Sequence, residues 1–281
     1  MPLNRELVGK EYEQAEEVAV TREAAKGYAD ATDADIAAYQ GDDAVAPPMF
    51  GVAYSFGALT APIVDGELGA DLMRLVHGEQ DMRFCAPVRP GDVIRSRSRI
   101  ARIEEKSTGE LLDVAIESVN QRGEKVLEVT SGLFIRGPRR KDKVKEERAR
   151  QSADEESFEA LPRLFEVKQI VAPDQSLRYA AASGDRNPIH VDEDVARMAG
   201  LPGVILHGLC TMAFVHNALV RHFGGDPMKV ARLAVRFSKP VLMGDELTID
   251  VRGPAEGTLA IAVTNQNGDA VLKAGRAELQ G

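Results

Sequence analysis

The chain contains two copies of one unit, and this duplication constrains its fold more than any other feature. Phe84-Cys85-Ala86-Pro87-Val88-Arg89-Pro90-Gly91-Asp92 and Phe237-Ser238-Lys239-Pro240-Val241-Leu242-Met243-Gly244-Asp245 share Phe, Pro, Val, Gly and Asp at a constant offset of 153. Asn120-Gln121-Arg122-Gly123 recurs as Asn265-Gln266-Asn267-Gly268 at offset 145, and Tyr28-Ala29 recurs as Tyr179-Ala180 at offset 151. Three matches in the same order indicate a tandem repeat. A length of 281 residues suits two domains of about 130 residues each. The expected division is an N-terminal unit over 1–137, a charged linker over 138–157 and a C-terminal unit over 158–281. Residues 138–150 carry seven Lys/Arg, three Asp/Glu and almost no apolar side chains. Such a segment cannot offset its ordering entropy by burial.

Both units follow one layout. An amphipathic helix comes first, over Thr21 to Ala31 and over Asp174 to Ala182, where Pro173 and Asp174 suit the N-terminus. A longer apolar helix follows. In the second unit it is HGLCTMAFVHNALVRHF, residues 207–223, closed by Gly224-Gly225 and apolar on most faces, so it is expected to be buried. Its counterpart near Phe50 to Leu59 is weaker. Strand-like alternation then runs over 92–103, 111–120 and 125–135 in the first unit, and over 230–237, 246–251, 259–264 and 270–279 in the second. NQRGEK and NQNGDA read as hairpin turns in which Asn and Gly supply positive φ. The expected class is α+β, with a buried helix and a meandering antiparallel sheet, twice over.

Composition excludes several functions. The net charge of −9 argues against nucleic-acid binding, and 5% aromatics without tryptophan offer few base-stacking platforms. No apolar run is long enough for a membrane helix, and the acidic start lacks the apolar core of a signal peptide. Cys85 and Cys210 are too few for a disulfide framework, so a reduced, cytoplasmic protein is expected. No His/Cys/Asp/Glu set has metal-ligand spacing, and there is neither a P-loop nor a G-x-G-x-x-G; neither metal nor cofactor is expected.

The segment with the most chemical character is Tyr179-Ala180-Ala181-Ala182-Ser183-Gly184-Asp185-Arg186-Asn187-Pro188-Ile189-His190-Val191-Asp192, followed by His207-Gly208-Leu209 at the start of the buried helix. Gly184, Asp185, Asn187 and Pro188 are loop formers, so Asp185 and His190 project from a fixed turn. A carboxylate and an imidazole side by side can hold a water and pass protons. Taken alone, the pattern reads more readily as a capping Asp and a surface His.

The longer string SGDRNPIHVDEDVARMAGLPGVILHGL resembles the hydratase-2 signature of the MaoC-like, (R)-specific enoyl-CoA hydratase family. LVHGEQDMRFCAPVRPGD, residues 75–92, and LVGKEYE near the start resemble the FAS1-like dehydratase domain. The resemblance implies a double hotdog, two tandem domains each with a central helix wrapped by an antiparallel sheet, the sheets joined side by side. It also implies reversible hydration of trans-2-enoyl thioesters, of CoA or acyl carrier protein, to (3R)-hydroxyacyl thioesters. Asp185 and His190 match the catalytic pair, Asn187 the residue ordering the site, and Gly208, with Leu209 beside it, the substrate-binding helix start whose N–H acts as oxyanion donor. A helix N-terminus, with unpaired N–H groups and partial positive charge, is physically suited to that role.

The first unit has no His at the matching spacing after Asp33, so one site per chain is expected. His77 reads as structural, and His216 and His222 as packing or capping residues. Arg95, Arg97 and Arg99 alternate along one strand, with Arg232, Arg236 and Lys239 near the equivalent strand; these are phosphate partners for the substrate or ordinary surface ion pairs. Two other functions compete. A hotdog thioesterase would need a carboxylate on the central helix, and residues 207–223 have none; the other is a non-catalytic thioester-binding partner. A homodimer of such chains is the expected assembly.

Overall fold

The computed structural model describes residues 2–137, 157–254 and 256–280. All of the expected linker except residue 157 lies outside them. Eleven strands form one antiparallel sheet: β1 Glu11–Glu13, β2 Val18–Ala19, β3 Leu75–Phe84, β4 Val93–Lys106, β5 Gly109–Asn120, β6 Lys125–Arg136, β7 Arg163–Ile170, β8 Val230–Phe237, β9 Glu246–Arg252, β10 Thr258–Asn265 and β11 Ala270–Leu279. Their order is β1-β4-β5-β6-β3-β8-β11-β10-β9-β7, with β2 also on β4. The order is palindromic. Each half contributes the same succession, and the halves meet at β3 and β8.

Register locates the symmetry axis. Across the seam Gln80 pairs with Val235, Asp81 with Ala234 and Met82 with Leu233. At the repeat offset of 153, Ala234 is the counterpart of Asp81, so a pseudo-twofold axis passes through that pair. On the outer face of the seam, Arg232 bonds Asp81 at 2.6 and 2.8 Å, and both Arg232 and Arg83 bond Glu278.

The repeated motifs prove to be the joints of this frame. Buried Asp92 accepts the Arg89 N–H and the Gln121 side-chain N–H; buried Asp245 accepts the Leu242 N–H and the Gln266 side-chain N–H. The Pro-Val-x-x-Gly-Asp turn is thus tied to the Asn-Gln-x-Gly hairpin in each half. Gly123 and Gly268 both sit at φ +76, a conformation open to glycine at little steric cost.

Helices that lie with the sheet, among the described residues, are α1 Arg22–Ala31, α2 Gly51–Tyr54, α3 Phe56–Ile63, α4 Gln175–Ser183, α5 Glu193–Met198 and α6 Gly208–His222. Thr21 caps α1 through its side chain, accepting the Ala24 N–H. Eleven of the fifteen residues of α6 are buried, as its apolar pattern predicts. The first half's central helix is broken instead, entered through a short 3-10 turn over Pro48–Phe50 and interrupted at Ser55. Strand burial alternates, as in β9, so one sheet face packs on the helices and the other faces solvent. This is the double-hotdog arrangement expected from the sequence. Among the described residues no helix is long and apolar enough to cross a membrane, and both cysteines are free.

Candidate active site

The site forms where α4 ends and α6 begins. Gly184 closes α4 in the left-handed conformation, φ +80. The side chain of Asp185 accepts the Asn187 N–H at 3.1 Å, and that of Asn187 accepts the Ile189 N–H at 3.4 Å. Pro188 then opens a 3-10 turn that ends on His190. Asp192 caps α5 just beyond, accepting the Asp194 and Val195 N–H groups. Each loop former therefore has a geometric task, and Asn187 holds the turn that carries His190.

Hydrogen bonds fix the imidazole tautomers. A ring nitrogen facing a carbonyl must carry the proton. His190 Nδ1–H donates to the Ile205 carbonyl at 2.8 Å, which leaves the Nε2 lone pair available. His207 Nε2–H donates to the Asp185 carbonyl at 3.0 Å, which leaves Nδ1 as an acceptor. Burial lowers the His190 pKa from its ordinary value, opposed by the Ile205 carbonyl and by Asp185. His207 is pushed down to about 4 by burial and by His190. Both rings are neutral near pH 7.

The fold gathers Asp185, His190 and His207 so that one side-chain donor atom from each lies within 4.8 Å of the other two. Spacing along the chain did not reveal this set, and the metal expectation, which rested on spacing, needs that correction. The ring planes of His190 and His207 are 25° apart with centroids 3.8 Å apart.

Gly208 opens α6, and the first N–H groups of a helix have no intrahelical acceptor. A Cβ at Gly208 would stand 2.7 Å from the Phe237 ring, so only glycine fits there. Leu209 lies half-buried in the same first turn. Phe237 in turn packs edge-on against His77 of β3, centroids 5.2 Å apart. His77 is itself within the field of Asp185 and bonds Gln80 at 2.9 Å. The first half thus contributes a wall of the site, which the sequence reading of His77 as merely structural had not placed.

The first half carries a blank version of this arrangement. The turn Ala37–Tyr39 matches Pro188–His190 at the offset of 151 set by the two tyrosines, with Tyr39 N–H on the Ile36 carbonyl as His190 N–H is on that of Asn187. Tyr39 stands where His190 stands, and Ala34 where Asp185 stands. Asp33 instead pairs with Arg178 at 3.1 Å. His216 packs edge-on against Phe84 with both nitrogens unpartnered, and His222 stacks on Phe165.

The basic strand residues are mostly ion-paired: Arg95 with Glu17, Arg97 with Glu117, Arg232 with Asp81 and Glu278, Lys239 with Asp269, and Arg236 more loosely with Glu79. The alternative of ordinary surface pairs accounts for these five.

Comparison with known proteins gives concordant results. Residues 156–266 match the family model described as MaoC like domain, and residues 6–129 match the FAS1-like, dehydratase domain region. A probable enoyl-CoA hydratase 2 of Dictyostelium discoideum is 29% identical over 250 residues, covering 86% of this chain and 83% of that protein. A MaoC-like dehydratase from Phytophthora capsici superimposes with a TM-score of 0.81 at 21% identity, covering 99% of each chain. A Mycobacterium tuberculosis protein described as having a double hotdog fold superimposes with a TM-score of 0.62 at 13% identity, covering 96% of this chain and 94% of that one.

Proposed function

The chain belongs to the MaoC-like dehydratases, and from that premise we infer that it is a hydro-lyase adding water to trans-2-enoyl thioesters to give (3R)-hydroxyacyl thioesters, and the reverse. The observation that carries this reading is the meeting of the Asp185 carboxylate and the His190 ring, its Nε2 lone pair available, close to the N-terminal end of α6. Asp185 and His190 hold the water between them. The thioester carbonyl takes the Gly208 N–H, where developing negative charge meets an unpaired donor and the positive end of the helix dipole. The water oxygen bonds to C3 while one proton is delivered to C2. The carbon–carbon double bond is consumed, and nothing is oxidised or reduced.

The substrate is a thioester of coenzyme A or of acyl carrier protein. Two free thiols fit a reducing compartment, so the cytoplasm is the proposed location, and a homodimer the proposed assembly. One assay tests the reaction: incubate the protein with crotonyl-CoA and follow enoyl absorbance and free thiol together. Loss of absorbance without thiol is expected. Thiol release would mean a thioesterase, and no change in either would mean a binding protein or another acyl group.

A further inference from the structure

The two halves supply an internal comparison for His207, a residue the reaction above does not use. Each tyrosine of the repeated Tyr-Ala pair packs against one ring ahead of its own half's central helix. Tyr28 meets Phe50, centroids 5.6 Å apart, and Tyr179 meets His207, centroids 4.9 Å apart. Phe50 fills its place with carbon alone. His207 is 2% exposed, and its Nδ1 has no hydrogen-bond partner. A buried nitrogen without a partner lowers stability in a way a phenyl ring would not, so packing alone does not explain an imidazole here.

What distinguishes the second half is what His207 touches. Its Nε2–H holds the main-chain carbonyl of Asp185 at 3.0 Å. Its ring lies face to face with His190, centroids 3.8 Å apart. The blank half, with Tyr39 and Ala34 in place of the pair, has a phenyl ring against its tyrosine instead. We propose that His207 is a positioning residue for hydration: one nitrogen clamps the Asp185 loop while the ring face fixes His190, so that carboxylate and imidazole address the same water. The proposal rests on the Asp185–His190 reading above. His207 stays neutral and so does not compete for the protons handled by Asp185 and His190. Among the described residues, the titratable groups acting on His190 are Asp185 and His207, and Asp185 also acts on His77 of β3.

Clamp and stack can be separated. His207→Gln keeps an N–H for the Asp185 carbonyl and loses the ring. His207→Phe keeps the ring and loses the N–H. His207→Ala loses both. Each is assayed with crotonyl-CoA for kcat, KM and the pH profile, and by imidazole nitrogen NMR of His190 without substrate. His207→Phe is expected to lower kcat about tenfold to a hundredfold through a misplaced carboxylate, with KM and the His190 titration unchanged. His207→Gln is expected to keep most of kcat while the His190 titration moves up toward its ordinary value, because water reaches the exposed ring face. His207→Ala should show both effects. A His207→Ala protein with wild-type kcat and an unmoved His190 titration overturns the proposal, as does a lowered melting temperature as the sole change. Inactivity of the wild type toward crotonyl-CoA would count against the reaction itself, and the NMR reading decides the positioning role independently of it.

Discussion

The phenol oxygens of Tyr28 and Tyr179 lie 3.2 Å apart, joining the two halves of the chain through one buried hydrogen bond. The residues are repeat counterparts, and both are almost fully buried. One oxygen donates and the other accepts, so even this most symmetrical contact is unequal.

Removing either hydroxyl leaves the other buried and unpaired. Tyr28→Phe and Tyr179→Phe are each expected to destabilise by about 1–3 kcal/mol, while the double variant falls close to wild type. Urea denaturation of the four proteins gives the coupling energy, and strictly additive losses would rule out a shared bond.

For the reaction, Asp185→Asn and His190→Ala are expected to lower kcat for crotonyl-CoA hydration by about 10²–10⁴. Melting temperature should remain near wild type, because the loop is held mainly by main-chain and cap bonds. Near-normal rates in either variant would remove that residue from the chemistry.

Gly208→Ala should displace the start of α6, because the added methyl meets the Phe237 ring at 2.7 Å. Overpacking of this kind costs about 1–3 kcal/mol, and turnover should fall with it as the N–H moves. Adding Phe237→Leu relieves the clash and should restore part of the rate. If Gly208→Ala alone turns over normally, the carbonyl binds elsewhere.

Acid should unfold the protein partly through two histidines. Burial takes His207 from 6.5 to about 4 and His216 from 6.5 to about 3. Between those values the unfolded chain binds more protons than the folded one, so their contribution is full above pH 6.5 and is lost as pH falls. Each contribution is on the order of a few kcal/mol. His216→Leu removes two unpartnered nitrogens and should make stability less steep between pH 6.5 and 3. Melting temperature against pH reads this directly, and an unchanged slope would show that His216 reaches water in the native state.

Much of the frame was legible in the sequence because the repeat supplied two noisy copies of each element. The motif positions turned out to be mechanical, Asp92 on Gln121 and Asp245 on Gln266. The seam strand β3 does not stand out as a strand in the sequence, because buried Gln80 and the His77-Gly78 pair interrupt its apolar alternation; Asp81 and Arg83 lie on the outer face against Arg232 and Glu278. The edge strand β7 and the short helix α5 were missed as well. At the site, Asp185 and His190 share one turn and could be named together. In the sequence His207 is marked only by its place before Gly208, and its position on His190 depends on how α6 meets the α4 loop, which spacing does not encode. The nearest signal was adjacency to Gly208.

The palindromic order of strands has an evolutionary consequence. In an assembly of two identical chains every substitution appears twice, so a change that suits one pocket is imposed on the other. Here each position is encoded once. Tyr39, Ala34 and Asp33 could settle in one half while Asp185 and His190 stayed intact in the other. In the proposed reading, linking the copies lets one of them leave the chemistry without disarming its neighbour.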